Sequence, residues 1–172
     1  INCVGVLAEK SNNSSDNAIL VNSYLPKFLE SLTEKTKTKI IHISTDCVFS
    51  GKKGNYLENE IKDGMDVYAK TKSLGEIINQ KDVTIRTSII GPELNPNGVG
   101  LFNWFIKSKG NIKGFSNAYW SGVTTLELAK FIYKIINKNN ITGIIHFTNN
   151  IKISKYHILK ILKHVYGKNE IT

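Results

Sequence analysis

Several things are scarce in this chain of 172 residues, and each scarcity removes a class of protein. The two cysteines, Cys3 and Cys47, are too few for a disulfide framework and wrongly spaced for a zinc site. A reducing, cytoplasmic setting is the simpler expectation. Apolar runs stop well short of a membrane span and the opening residues do not read as a signal peptide, so no membrane partner is expected. The histidines, His42, His146, His157 and His164, are dispersed without metal-ligand spacing, and no metal is expected. The formal charge of +9 comes from scattered lysines rather than a clustered basic face. It reads as compositional bias, and no nucleic-acid partner is expected. Repeats and low-complexity segments are absent. So is any glycine-rich turn that would seat a dinucleotide pyrophosphate at a helix N-terminus.

What is present is an ordinary globular composition, 41% hydrophobic and 22% charged, with length enough for a substantial core. Apolar runs at 1–6, 39–44, 83–88 and 143–147 read as strands. Between them, helical spacing predicts a helix over 15–32, capped by Ser15-Asp16, with Ala18, Val21, Leu25, Phe28, Leu29 and Leu32 on one face. A glycine-bearing loop spans 50–66, and a second helix covers 68–80. After Gly91-Pro92 the alternation loosens. Helices are expected at 101–107, at 126–137 behind a Thr124-Thr125-x-Glu127 cap with Leu128, Phe131, Ile132 and Ile135 inward, and after Ser154 with Ile158, Leu159, Leu162 and Val165 inward. Strands alternating with helices imply an α/β chain with βαβ units and a parallel sheet.

The chemistry gathers at Ser44-Thr45-Asp46 and Tyr68-x-x-x-Lys72. Reducing a ketone requires a hydride to carbon and a proton to oxygen. A tyrosine can give the proton, although its ordinary pKa near 10 is high, and a nearby ammonium favours the phenolate. Residues i and i+4 share a helix face, so Tyr68 and Lys72 can act on one point. A hydroxyl at the end of the neighbouring strand, Thr45 or Ser44, can hold the carbonyl oxygen, at the strand ends where such sheets bind ligands. Alone, the tyrosine–lysine spacing equally describes a solvated helix start. Its setting between two strands, behind Ser-Thr-Asp, gives it weight.

The runs Ile41-His-Ile-Ser-Thr-Asp-Cys-Val-Phe-Ser-Gly51, Gly54-Asn-Tyr-Leu-Glu58, Tyr68-Ala-Lys-Thr-Lys-Ser-Leu-Gly-Glu76 and Ile85-Arg-Thr-Ser-Ile-Ile-Gly-Pro92 resemble the extended short-chain dehydrogenase/reductase superfamily, and within it the dTDP-4-dehydrorhamnose reductase group. The resemblance implies the C-terminal half of a Rossmann-type sheet over residues 1–92 and a small α/β substrate-binding lobe over 93–172, with interleaving allowed. It implies Thr45 as the catalytic hydroxyl, Tyr68 as proton donor, and Lys72 lowering the Tyr68 pKa and bonding the nicotinamide ribose of NADP or NAD. Asn2, Cys3, Val4, Gly5, Ser44 and Ile90 would approach the cofactor. Thr45, Asp46, Val48, Trp104 and Trp120 would meet a nucleotide-sugar substrate. The implied reaction is reduction of a nucleotide-linked 4-keto-6-deoxy sugar for surface polysaccharide precursors. Related alternatives are an epimerase or dehydratase, and a non-catalytic nucleotide-binding regulatory subunit.

Against that pattern, residue 1 already lies in what resembles the fourth strand. Three βα units with the glycine turn, on the order of 60–90 residues, are expected to be missing. The cofactor-seating half is then an expected partner, the intact protein admits a homodimer, and an exposed apolar flank is expected beside residues 1–6. The Trp120–Thr125 segment departs from many reductases and leaves the sugar open. Elsewhere, Trp104, Phe105 and Trp120 suit a core as well as a stacked base. Asn22 suits helix packing or the site. Arg86 suits a phosphate or a structural pairing. His42 and His146 read as satisfied core residues, and Glu58, Glu60, Asp63 and Asp66 as solvated loop charges.

Overall fold

Parallel pairing sets the first part of the chain. In the computed structural model, which describes residues 1–138 and 140–171, strands β1 (Ile41–Thr45), β2 (Val83–Thr87) and β6 (Gly143–His146) form one sheet in the order β1-β2-β6. Ile43 lies opposite Ile85, and Ile85 opposite Ile145. Every residue of β2 is buried, as a strand covered on both faces requires. Asp82 fixes the sheet's lower edge: its Oδ1 accepts from Ile40 N at 2.7 Å and its Oδ2 from Asn79 Nδ2 at 2.9 Å.

The run 1–6 is not a strand. It pairs with β1 at a single parallel bridge, Asn2 to His42, through Asn2 N to Ile41 O at 2.8 Å and Ile43 N to Asn2 O at 3.0 Å. Pairing stops there because Asn2 Oδ1 accepts from Val4 N at 3.2 Å, turning the backbone off the ladder. Ile1, Val4 and Leu7 are left exposed.

The helix expected at 15–32 begins earlier and is broken. It comprises α1 (Ala8–Asn13), α2 (Ser15–Ala18), a π-helical segment (Ile19–Tyr24) and α3 (Leu25–Thr33). Ser14, not Ser15, precedes α2, and its hydroxyl donates to Asp16 Oδ1 at 2.6 Å instead of capping a backbone N–H. The wide turn has a cause. Pro26 has no N–H to offer the Asn22 carbonyl, and its ring would crowd that oxygen in an α-helix. The freed carbonyl points at α4 (Val67–Gly75), where a Cβ on Gly75 would run into it. Only Gly75 lets the two backbones approach so closely. Of the expected inner face, Ala18 is buried and Val21, Leu25 and Leu29 half-buried, whereas Phe28 and Leu32 are exposed.

Asp66 caps α4, accepting from Ala69 N at 2.6 Å. The helix closes at Gly75, short of the expected residue 80, because Glu76 turns extended and sends its side chain into the interior. Of the 50–66 carboxylates, Glu58, Asp63 and Asp66 are exposed and Glu60 half-buried, and all are engaged. Asp63 accepts from Ser50 N at 2.7 Å, Glu60 pairs with Lys53 at 2.6 Å, and Glu58 accepts from His146 N at 3.0 Å.

Two compact units result: Ile1–Thr87 with Phe131–Phe147, and Ser88–Lys130 with Thr148 onward. The division falls inside helix α6 (Thr125–Ile135), for which Thr124 Oγ1 accepts from Glu127 N at 3.1 Å. In the first unit Phe131 stacks on Phe147 at 4.1 Å. In the second, β3 (Ile89–Ile90) runs parallel to β5 (Val123–Thr124), and β4 (Tyr119–Trp120) antiparallel to β7 (Ile153–Ser154). Helix α5 (Leu101–Lys107) matches its expected span. Helix α7 (Lys155–Val165) starts at Ser154, whose Oγ accepts from His157 N at 3.2 Å. Phe105, Leu159 and Ile171 centre this unit's core, while Val165, expected inward, is exposed. Among the described residues no helix is long and apolar enough to cross a membrane.

The Asn22–Gly75 approach is testable. Gly75→Ala should destabilise the chain by about 1–3 kcal/mol through overpacking, read as a lower urea midpoint at unchanged slope. An unchanged midpoint would mean that the helices are not in contact there.

Candidate active site

The end of β1 separates the two hydroxyls. Successive strand residues face opposite sides of a sheet, so Ser44 and Thr45 cannot serve the same point. Ser44 Oγ donates to Glu76 Oε1 at 2.9 Å inside the protein. The Thr45 side chain turns the other way. Its Oγ1 accepts from Cys47 N at 3.1 Å, starting the 3-10 turn Asp46–Val48, and donates to Asp46 Oδ1 at 3.3 Å. Ser44, expected near the cofactor and as the competing hydroxyl, is therefore committed to an interior carboxylate.

Tyr68 stands in the first turn of α4, with its phenol near enough to Thr45 for that hydroxyl to act on it. Burial pushes its pKa up to about 12; the Thr45 hydroxyl pulls it down, and Cys47, Asp46 and Asp66 push it up. The resemblance implied a lowered value, but the charges that act on this phenol are the neighbouring anions. At neutral pH Tyr68 is a protonated donor.

Lys72 lies one turn on and is 4% exposed. Its Nζ donates to Ile43 O at 2.7 Å. That carbonyl points toward the Asn2 side of β1, as Ile43 N does, and no longer finds a strand partner once Val4 N has turned to the Asn2 side chain. Burial brings the Lys72 pKa down to about 8, with Glu76 and Cys3 opposing.

The segment before α1 is held beside this pair. Asn22 Oδ1 accepts from Val6 N at 2.8 Å, and Asn22 Nδ2 donates to Val6 O at 3.0 Å and to Thr71 Oγ1 at 3.2 Å. Asn22 thus joins Val6 to α4, a structural task. A Cβ on Gly5 would stand 3.4 Å from Asn22 Oδ1 and 3.9 Å from Lys72 Nζ. Bare backbone therefore borders the ammonium, with Cys3 and Val4 exposed next to it. The open backbone at Gly5 and the Lys72 ammonium are the groups that could hold a ribose hydroxyl.

Other expected positions fall differently. Asn2 spends its side chain on Val4 and His42 and its backbone on β1, and is buried. Val48, expected at the substrate, is 1% exposed and belongs to the core. Asp46 is exposed at the strand end. Ile90, Trp104 and Trp120 lie in the second unit. Ile90 is half-buried in β3, Trp104 is exposed on α5, and Trp120 Nε1 donates to Ser88 Oγ at 2.7 Å. Arg86 makes the structural pairing, with Glu76 at 2.6 Å. Residue-by-residue reading missed Glu76, although it lies one further turn beyond Lys72 in the same run.

His42 is not a satisfied core residue. Asn2 Nδ2 meets its Nδ1 at 3.1 Å, while Nε2 is buried with no partner among the described residues. Burial, then the Lys72 charge, bring its pKa down to about 3. The unfolded chain thus binds more protons between about pH 6.5 and 3, and stability falls as pH drops through that window. The slope attributable to His42 is at most about 1.4 kcal/mol per pH unit. Urea unfolding of His42→Phe against wild type should show a shallower pH dependence there. Parallel curves would mean that His42 is protonated in the folded chain.

The family model described as RmlD substrate binding domain matches residues 7–169. The spore coat polysaccharide biosynthesis protein SpsK of Bacillus subtilis is 30% identical over 140 residues, 78% of this chain and 49% of its own. A dTDP-4-dehydrorhamnose reductase of Aggregatibacter actinomycetemcomitans is 30% identical over 141 residues, 76% and 48%. The crystal structure of a dTDP-4-dehydrorhamnose reductase from Clostridium acetobutylicum superposes with a TM-score of 0.85 at 25% identity, over 99% of this chain and 63% of that one. The chain spans about half the length of the curated relatives it matches. It belongs to the RmlD substrate binding domain family, within the short-chain dehydrogenase/reductase superfamily.

Proposed function

We propose that this chain carries the proton-transfer centre of an NADPH- or NADH-dependent reductase of a nucleotide-linked 4-keto-6-deoxy sugar, serving surface polysaccharide synthesis. It would act as part of a longer protein whose other half seats the cofactor pyrophosphate. The observation that carries the reading is the placing of Thr45, Tyr68 and Lys72 on one side of the β1 strand end, with Tyr68 against Thr45 and the Lys72 ammonium on Ile43 O at 2.7 Å. The relatives' names, a reductase and a polysaccharide biosynthesis protein, supply the substrate class.

The dinucleotide would supply the hydride. Thr45 Oγ1 orients the substrate carbonyl, and Tyr68 gives its phenolic proton to that oxygen as carbon accepts the hydride, leaving an alcohol. Lys72 would hold the ribose, and solvent would return the proton to Tyr68. Backbone at Cys3, Val4 and Gly5 lines the cofactor side. Asp46 addresses the sugar, while Ile90, Trp104 and Trp120 are the second unit's candidates for the nicotinamide and the nucleotide.

In protein supplied with the glycine-rich cofactor half, Tyr68→Phe should lower kcat by about 10²–10⁴-fold, the usual range for a lost general acid. Cofactor affinity should stay near wild type. Lys72→Ala should weaken both. Stoichiometric consumption of reduced cofactor separates a reductase from an epimerase, a dehydratase or a non-catalytic subunit. Near wild-type turnover of a keto-sugar nucleotide by Tyr68→Phe would refute the acid role.

A further inference from the structure

Glu76 is 2% exposed and plays no part in the proton transfer. Its Oε1 accepts from Ser44 Oγ at 2.9 Å and from Arg86 Nε at 2.6 Å. Its Oε2 accepts from Arg86 Nη2 at 2.9 Å and from Lys62 Nζ at 3.0 Å. Burial alone would raise this carboxyl, but Arg86 and Lys62 outweigh it and hold it below its ordinary value, so the group is ionised.

Each partner leads to the centre. Ser44 adjoins Thr45 on β1. Lys62 also donates to Ser73 O at 2.9 Å and belongs to the loop whose last residue, Asp66, caps α4 just ahead of Tyr68. Glu76 itself follows α4 by one residue, four beyond Lys72. We propose that Glu76 is a positioning residue of the Thr45–Tyr68–Lys72 centre: one buried carboxylate that ties the end of β1, the loop that launches α4 and the end of α4 into one body, and gives Lys72 its counter-charge.

The charged and titratable groups around Lys72 come from every packed element. Glu76 closes its own helix, Cys3 lies on the opening segment, and neutral His42 sits on β1. Arg86 of β2 and Lys62 of the loop engage the Glu76 carboxylate, and Lys27 of α3 donates to the Glu76 carbonyl at 2.7 Å. With burial bringing Lys72 down to about 8, Glu76 is the main charge that opposes burial and favours the ammonium. The catalytic meaning of this arrangement rests on the reductase reading above; the arrangement itself does not.

The test is a ¹³Cε NMR titration of Lys72 in the 172-residue chain, assigned with Lys72→Met. Glu76→Gln leaves Arg86 buried without its partner and risks unfolding. Glu76→Gln combined with Arg86→Gln removes both charges and avoids that risk. In whichever variant folds, the Lys72 pKa should drop measurably below its wild-type value, because the Glu76 charge that opposes the effect of burial is gone. Ser44→Ala, which keeps the carboxylate, should leave it in place. In the active protein, Glu76→Gln with Arg86→Gln should lower kcat at least tenfold with KM little changed and move the alkaline limb of the pH profile to lower pH, while Glu76→Asp restores part of both. A Lys72 titration unchanged in the folded double variant would overturn the proposal. If wild type itself reduces no keto sugar, the reductase reading fails while the titration still decides the role of Glu76.

Discussion

Everything near the reactive end of the sheet depends on the buried Glu76–Arg86 pair. An ion pair at this depth is a poor source of stability, because removing both charges from water costs several kcal/mol each. It is tolerable only when the remaining donors and acceptors are met. Here they are. Arg86 spends Nε and Nη2 on Glu76, and Nη1 on Glu58 O at 3.1 Å and His146 Nε2 at 3.0 Å. Its guanidinium also lies 5.1 Å from the centre of the Phe49 ring. An arginine only donates, so His146 accepts at Nε2, and its Nδ1 is left to donate to Tyr56 O at 3.1 Å. One pair therefore dictates a tautomer on β6, a loop conformation at 56–62 and a rotamer on β1. What it contributes is geometric uniqueness.

A second constraint sets how close the helices come. The Pro26, Asn22 and Gly75 positions make sense only together. Proline frees a carbonyl, the π-turn aims it outward, and a glycine receives it. The same residue whose backbone makes that approach uses its amide to clasp Val6 and Thr71. Close packing is thus what lets Asn22 reach both the opening segment and α4, and it brings the bare backbone of Gly5 beside Lys72.

The sequence showed the alternation of elements, the spans of α5 and the start of α7, and the grouping of Thr45, Tyr68 and Lys72, because those signals are local. Helical spacing, a serine cap and an i, i+4 pair are visible without tertiary structure. What it hid depends on distant partners. Asn2 ends its strand by a side-chain bond that a run of apolar neighbours conceals. Ser44 and Thr45 are separable only once the sheet faces are known. Phe28 and Leu32 keep helical spacing but stay exposed, Phe28 stacked on Tyr24 rather than set in the core. Glu76 sits after a helix whose apolar pattern continues through Ile77 and Ile78, and only Arg86, ten residues away on another strand, explains why the helix ends where it does.

The electrostatics of the centre follow from the same placement. Tyr68 is buried, and the turn after Thr45 sets Cys47 and Asp46 beside its phenol, so burial first and those neighbours second hold its proton tightly. Lys72, one turn along, is stripped of water and held by a single backbone carbonyl and a carboxylate behind it. The two groups are thus displaced in opposite directions, the acid made weaker and the cation made easier to neutralise. Each displacement widens the gap by which Lys72 titrates first, so that near neutrality the helix face presents a full phenol next to an ammonium close to its own midpoint. Such a pair answers strongly to any third charge. An anionic or cationic group arriving at Gly5 would move Lys72 before it moved Tyr68, which makes the lysine the more sensitive reporter of what binds there.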